Sequence, residues 1–135
     1  MKVLSLWQPW ASLIADGRKR IETRSWAAPR WIIDRDILIH ATKRIETDAA
    51  EDFDYLPAAM PRGALICVVH VDACVRFDQE SLQDLHDHYS VKEFEYGDFE
   101  IGRFGWILSK PRKIIPVEIH GYQGIFSFNG QVQFA

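Results

Sequence analysis

The chain has 135 residues, 47% of them hydrophobic and 26% charged, a composition expected of one globular domain over residues 1–135 and not of a disordered or low-complexity chain. No apolar run approaches the ~20 residues of a membrane span. Cys67 and Cys74 are the only cysteines, too few for a disulfide framework, so a reduced, cytoplasmic protein without membrane association is expected. The net charge of −3 argues against a uniformly basic nucleic-acid binder, but its distribution is uneven. Residues 1–44 hold nine Lys/Arg against four Asp/Glu, residues 45–101 three against fourteen, and residues 102–135 four against one. If the two basic ends meet in space, with the acidic 78–100 segment directed away, one face attracts phosphate although the whole is acidic.

Val3 to Leu6 reads as a short strand. Pro9 to Asp16 reads as a helix, with Trp10, Leu13 and Ile14 on one stripe and Gly17 in the left-handed position that ends it. Arg20 to Trp26 alternates as a strand until Ala27-Ala28-Pro29 breaks it. Asp36 to Ala41 is a buried strand, residues 42–53 a polar helix or ordered loop, and Gly63 to Val75 the strongest β signal in the chain. A helix is expected over Ser81–Tyr89, a loop from Tyr96 to Gly102 and a strand over Phe104–Leu108. Ser109–Lys113 reads as loop, and Ile114–Ile119 as an edge strand because Pro116 cannot donate to a ladder. Gly121–Phe126 reads as a turn and Ser127–Phe134 as a tail strand around the hairpin signal Asn129-Gly130. Several short strands without regular βαβ alternation predict an α+β fold: a small β-barrel, closed or nearly so, of about five to seven strands with two or three short helices packed on it.

The densest polar cluster is Gly17-Arg18-Lys19-Arg20-Ile21-Glu22-Thr23-Arg24. Glu22 and Arg24 share a strand face, and an ion pair between them holds the guanidinium fork ready for a phosphate or a base edge, with Lys19 at the entrance. Thr23 points to the opposite face.

This segment resembles the signature of the ASCH domain, a member of the PUA-like β-barrel superfamily. The pattern Gly, any, Lys, any, any, Glu, any, Arg is present as Gly17, Lys19, Glu22 and Arg24. Leu4 to Ala11, Arg24-Ser25-Trp26, Ile39-His40-Ala41, Pro61 to Ile66, Phe104-Gly105-Trp106 and Pro116 to Phe126 resemble further blocks of the family in order. The resemblance implies a PUA-like barrel with a cleft beside the first helix and a role in binding RNA or modified nucleosides. Some similar proteins are amidohydrolases on acetylcytidine and others are ribonucleases. The amidohydrolase motif has a threonine three positions after the lysine; here Glu22 stands there and Thr23 is one position late.

The expected function is therefore an RNA-, single-stranded nucleic acid- or modified nucleoside-binding module. Lys19 and Arg24 engage phosphate or acceptor edges, Glu22 orients Arg24 or accepts from an exocyclic amine, and Trp7 and Trp26 stack on bases. Gln8 sits beside Trp7 at the strand–helix junction, and Lys43 and Arg44 follow a buried strand where they can position phosphate. The alternative is a small hydrolase with Lys19 and Glu22 as catalytic groups. His40 reads as a structural histidine. His86 and His88 with Asp84 and Asp87 fit no zinc spacing, and no cofactor or metal is implied. Cys67 and Cys74 differ in strand parity, which predicts free thiols on opposite faces.

Overall fold

The structure, a computed structural model, describes residues 1–135. Strand β1 (Lys2–Gln8) sends Leu4 and Leu6 into the main core and Val3 to the opposite face. Helix α1 (Trp10–Ala15) follows. Gly17, at φ +77°, turns the chain so that the N–H groups of Arg18 and Lys19 both reach the Leu13 carbonyl at 3.0 Å. That reversal launches β2 (Ile21–Arg24). The remaining elements are β3 (Arg35–Ile45), α2 (Thr47–Asp52), β4 (Ala64–Arg76), α3 (Gln79–His88), β5 (Phe104–Glu118) and β6 (Ile125–Ser127). Asp78 and Ser81 form a reciprocal capping box that starts α3. No helix is long and apolar enough to cross a membrane.

The six strands form one sheet in the order β2-β5-β4-β3-β1-β6, with β1 parallel to β3 and the other pairs antiparallel. The α+β class, the strand number and the short helices are as expected; closure is not, because the sheet is open between β2 and β6. The two edge strands, of four and three residues, do not pair with each other. β6 covers β1 only as far as Leu4. Beyond it, the end of β2 reaches β1 through a side chain, Arg24 Nη2 donating to the Ser5 carbonyl at 2.9 Å. A slot is left where a closed barrel would have a ladder.

One core cluster, including Leu4, Ile14, Ile39, Val69 and the fully buried Trp106, fills the space between the sheet and α1. A second, around Val3, Leu38, Leu65 and Val68, is covered by Phe126, Phe128 and Val132. A third joins Ile21, Phe77 and Leu85 to Phe94 and Phe99, docking α3 and the following segment on β2.

Bulges account for two departures from expectation. β4 slips register between Leu65 and Cys67, Val68 and His70, and Val71 and Ala73, so parity is not kept, and Cys67 and Cys74 both pack against the main cluster as free thiols. In β5, Ser109 pairs with His70 and Arg112 with Val68, so Lys110 and Pro111 stand opposite Val69 alone, Lys110 at φ +52°. The expected loop over Ser109–Lys113 is therefore a bulge inside one long strand. The Ile115 N–H points outward to the Gln133 carbonyl, so Pro116 faces β4, where the register slip between Leu65 and Cys67 needs no N–H from it. The tail strand and its hairpin do not form. β6 takes the end of the expected turn, and Phe134 makes a single bridge with Ile114.

At the far end of the sheet from the slot, His70 is clasped through Nδ1 by Asp36 Oδ1 and through Nε2 by Asp34 Oδ1, both at 2.9 Å. Asp72 lies 4.0 Å away, and Arg112 also binds Asp36. The hydrogen bonds to Asp36 and then Asp34 raise the His70 pKa above its ordinary 6.5. A group held more basic in the fold contributes stability that is complete below the unfolded pKa and is lost as pH rises through the folded one. The melting temperature of the wild type relative to that of His70→Gln is expected to fall from about pH 6 to about pH 8. The group is solvated, so the change is small. An unchanged slope in His70→Gln would refute the assignment.

Candidate functional site

The slot is walled by β1 on one side and β2 on the other and widens into two chambers that share Ser5, Trp7 and Arg24. The first, of about 430 Å³, adds Leu6, Trp10, Glu22, Thr23 and residues 95–98. The second, of about 590 Å³, adds Trp26, His40, Thr42, Lys43, Gly63 and residues 119–124. Both volumes lie in the ~300–1,000 Å³ range of small-ligand sites.

Arg24 stands at the waist between them. Its Nε donates to Glu22 Oε2 at 2.8 Å and its Nη2 to the Ser5 carbonyl at 2.9 Å, while its guanidinium carbon lies 5.9 Å from the Trp26 ring centre. Its side chain is 24% exposed. Glu22, on the same strand face, is only 7% exposed, and its Oε1 accepts no hydrogen bond, the nearest cation being Lys19 Nζ at 3.7 Å. Trp26 is held edge-on against Trp106 at 5.0 Å. Trp7 is 44% exposed.

Of the expected ligand contacts, Lys19 and Gln8 are buried and Arg44 lies outside both chambers. Lys19 is not at the entrance: it is 2% exposed, and Nζ donates to the carbonyls of Ile21 (2.6 Å) and Tyr96 (2.8 Å). Burial lowers its pKa, opposed by the carboxylates of Glu22 and Glu93. It lines neither chamber. Gln8 is fully buried; its amide donates to Ser12 Oγ (2.8 Å) and the Pro61 carbonyl (2.7 Å), and its oxygen accepts from the Ser12 N–H (2.9 Å). It caps the turn into α1 and has nothing left for a ligand. Arg44 lies over Trp7, its guanidinium carbon 3.7 Å from the ring centre, and pairs with Glu46 at 3.2 Å. It supports Trp7 from outside the chambers. Lys43 is exposed and lines the second chamber, beside Gly63.

The acidic middle of the chain is not directed away. Glu93, buried, accepts the N–H groups of Arg20 (2.9 and 3.1 Å) and Ile21 (3.2 Å). With Lys19 Nζ on the Tyr96 carbonyl, this fixes residues 93–98 along β2. Burial raises the Glu93 pKa against those two N–H donors and Lys19. Thr23 accordingly does not face empty solvent: its Oγ1 accepts from the Asp98 N–H at 3.0 Å, at the rim of the first chamber.

His40 has the structural role expected: it is 2% exposed, with Nδ1 3.0 Å from Ser5 Oγ and Nε2 3.0 Å from the Ile119 carbonyl. Burial lowers its pKa. Ser5, Glu93, residues 95–98 and residues 119–124 carry no local signal in the sequence. They join the site only through the sheet order and the buried Lys19 and Glu93 contacts.

The chain matches the ASCH domain over residues 4–118. It belongs to the ASCH domain family. ASCH is a family of PUA-like fold proposed to bind RNA. The crystal structure of ASCH from Zymomonas mobilis is similar at a TM-score of 0.63 and 19% identity, over 95% of this chain and 87% of that one. Crystal structures of two point mutants of the Zymomonas mobilis protein each score 0.61 at 20% identity, over 95% of this chain and 89% and 87% of theirs. At that identity the likeness establishes the fold alone. The sequence matches no curated protein. Within the charged octapeptide the geometry separates two roles: Glu22 and Arg24 line the first chamber, whereas Gly17 turns the chain into β2 and Lys19 ties β2 to the Tyr96 carbonyl.

Proposed function

We propose that this ASCH domain binds RNA or a modified nucleoside in the two-chambered slot, with Arg24, Glu22, Trp7, Trp26 and Lys43 as the contacting side chains. The observation that carries this reading is Arg24, fixed by Glu22 and the Ser5 carbonyl, yet still open to the slot beside two tryptophans. A guanidinium locked in one plane presents its fork at no further ordering cost. The exposed Trp7 and half-buried Trp26 offer indole surface for stacking, worth roughly 1–3 kcal/mol per base.

The alternative hydrolase would use Lys19 and Glu22 together; Glu22 lines the first chamber, but the Lys19 ammonium is hydrogen-bonded to two carbonyls behind the wall, which leaves Glu22 without its partner at the ligand. Binding without turnover is therefore the reading preferred here. Titration of single-stranded RNA at rising ionic strength tests it. Affinity should fall with a log–log slope of about −0.7 per phosphate engaged, roughly tenfold or more between about 50 and 200 mM salt for three phosphates. Affinity indifferent to salt would refute the phosphate contacts, and release of a cleaved product would restore the hydrolase.

A further inference from the structure

We infer that the slot takes its ligand in one orientation, as a nucleotide whose amino-bearing base lies against Glu22 and whose phosphate lies against Lys43 and His120. This orientation presupposes the binding reading above and adds the polarity of the ligand. The two chambers are segregated by charge. The first contains Glu22, Glu95 and Asp98, and its sole cation is the shared Arg24. The second contains Lys43, His40 and His120 besides Arg24, and no carboxylate. A phosphate among three carboxylates is repelled, whereas in the second chamber it meets the Arg24 and Lys43 cations and no carboxylate.

Glu22 supplies an independent reason for the same polarity. Its side chain is 9% exposed, it lines the first chamber, and one of its two oxygens is without a hydrogen bond. That oxygen has only the Lys19 ammonium beside it, at 3.7 Å, and a donor brought by the ligand can give it a direct, charge-assisted hydrogen bond. The exocyclic amine of cytosine or adenine is such a donor; the carbonyl that uracil presents at the same edge is an acceptor and is repelled. Trp7 and Arg24, common to both chambers, stand where the sugar must pass from one to the other. The buried, doubly hydrogen-bonded His40 keeps the floor of the phosphate chamber rigid.

Calorimetric titration of the protein with cytidine, its 5′- and 3′-monophosphates and the uridine monophosphates tests the orientation. One cytidine monophosphate is expected to bind about tenfold tighter than cytidine at low salt. That gain should vanish in Lys43→Glu and at about 1 M salt. The same cytidine monophosphate should exceed its uridine counterpart by at least about fivefold, a preference that Glu22→Gln removes. The two ligand comparisons on the unaltered protein decide the matter even if Glu22→Gln does not fold. A single-stranded oligocytidylate binding tighter than the monophosphate assigns the site to an RNA strand, and the reverse to a free nucleotide; either agrees with the orientation. Equal binding of cytidine and both monophosphates overturns the phosphate placement, and equal binding of cytidine and uridine monophosphates overturns the base placement. Binding of RNA with no affinity for any monophosphate overturns the orientation while leaving the RNA reading intact; binding of none of these, RNA included, overturns both.

Discussion

Lys19→Ala should lower folding stability by roughly 3–5 kcal/mol, the size of effect seen when one partner of a buried charge network is removed. The ammonium is 1% exposed and serves two carbonyls and two carboxylates. Its loss leaves the Ile21 and Tyr96 carbonyls unpaired and Glu22 and Glu93 without their common cation. It also frees residues 93–98 from β2, so the first chamber loses a wall. Burial already raises the Glu93 pKa, and Lys19 is among the groups that oppose the shift. Without Lys19 the ionised Glu93 is more costly, so the stability deficit of the variant should widen as pH rises toward and through neutrality. Urea denaturation of both proteins at two pH values measures both effects. A variant that unfolds at the wild-type midpoint but has lost a chemical activity would return Lys19 to the slot as a reacting group.

The sequence carried the local features of this fold and lost those that depend on pairing. Gly17 and the alternation after it place β2 and its face, because a left-handed glycine and a period of two are local properties. The direction of Lys19 was not legible, because a lysine in a charged octapeptide normally lies in water. What buries it is residues 91–96, more than seventy positions later, anchored by Glu93. The same long-range anchor brings the acidic segment onto the slot that charge blocks alone would leave wholly basic. The burial of Gln8 is not legible because, beside its two local bonds to Ser12, its third goes to the Pro61 carbonyl, which only the tertiary fold brings to it. Parity failed along β4 and β5 because bulges shift the alternation, and no residue type announces a bulge in a β-branched run. Closure is likewise a matter of pairing: alternation shows where β2 runs, whereas β6 begins inside a stretch that reads as a turn, and neither says which edges meet.

Arg24→Ala should weaken ligand binding by about ten- to a hundredfold, the equivalent of roughly 1.5–3 kcal/mol for a charged hydrogen-bonding group. Both chambers lose their shared cation, and Glu22 loses the donor that orients it. The contact across the slot to Ser5 is lost too, at a cost of about 1 kcal/mol in stability, small enough for binding to be measured on folded protein. Arg24→Lys should recover only part of the affinity. A lysine has one ammonium on a flexible stem and cannot hold Glu22 and the Ser5 carbonyl in one plane while keeping a face toward the ligand. Thr23→Ala removes only an acceptor for the Asp98 N–H and should leave binding within about threefold of wild type, since that pairing is a single neutral hydrogen bond at the rim. Fluorescence titration of the three variants with the same single-stranded RNA separates these cases, with Trp7 and Trp26 as reporters in the slot. Wild-type affinity in Arg24→Ala would place the ligand elsewhere on the surface. A loss in Thr23→Ala as large as in Arg24→Ala, at unchanged melting temperature, would instead make the threonine hydroxyl a direct contact and move the centre of the site toward residues 95–98.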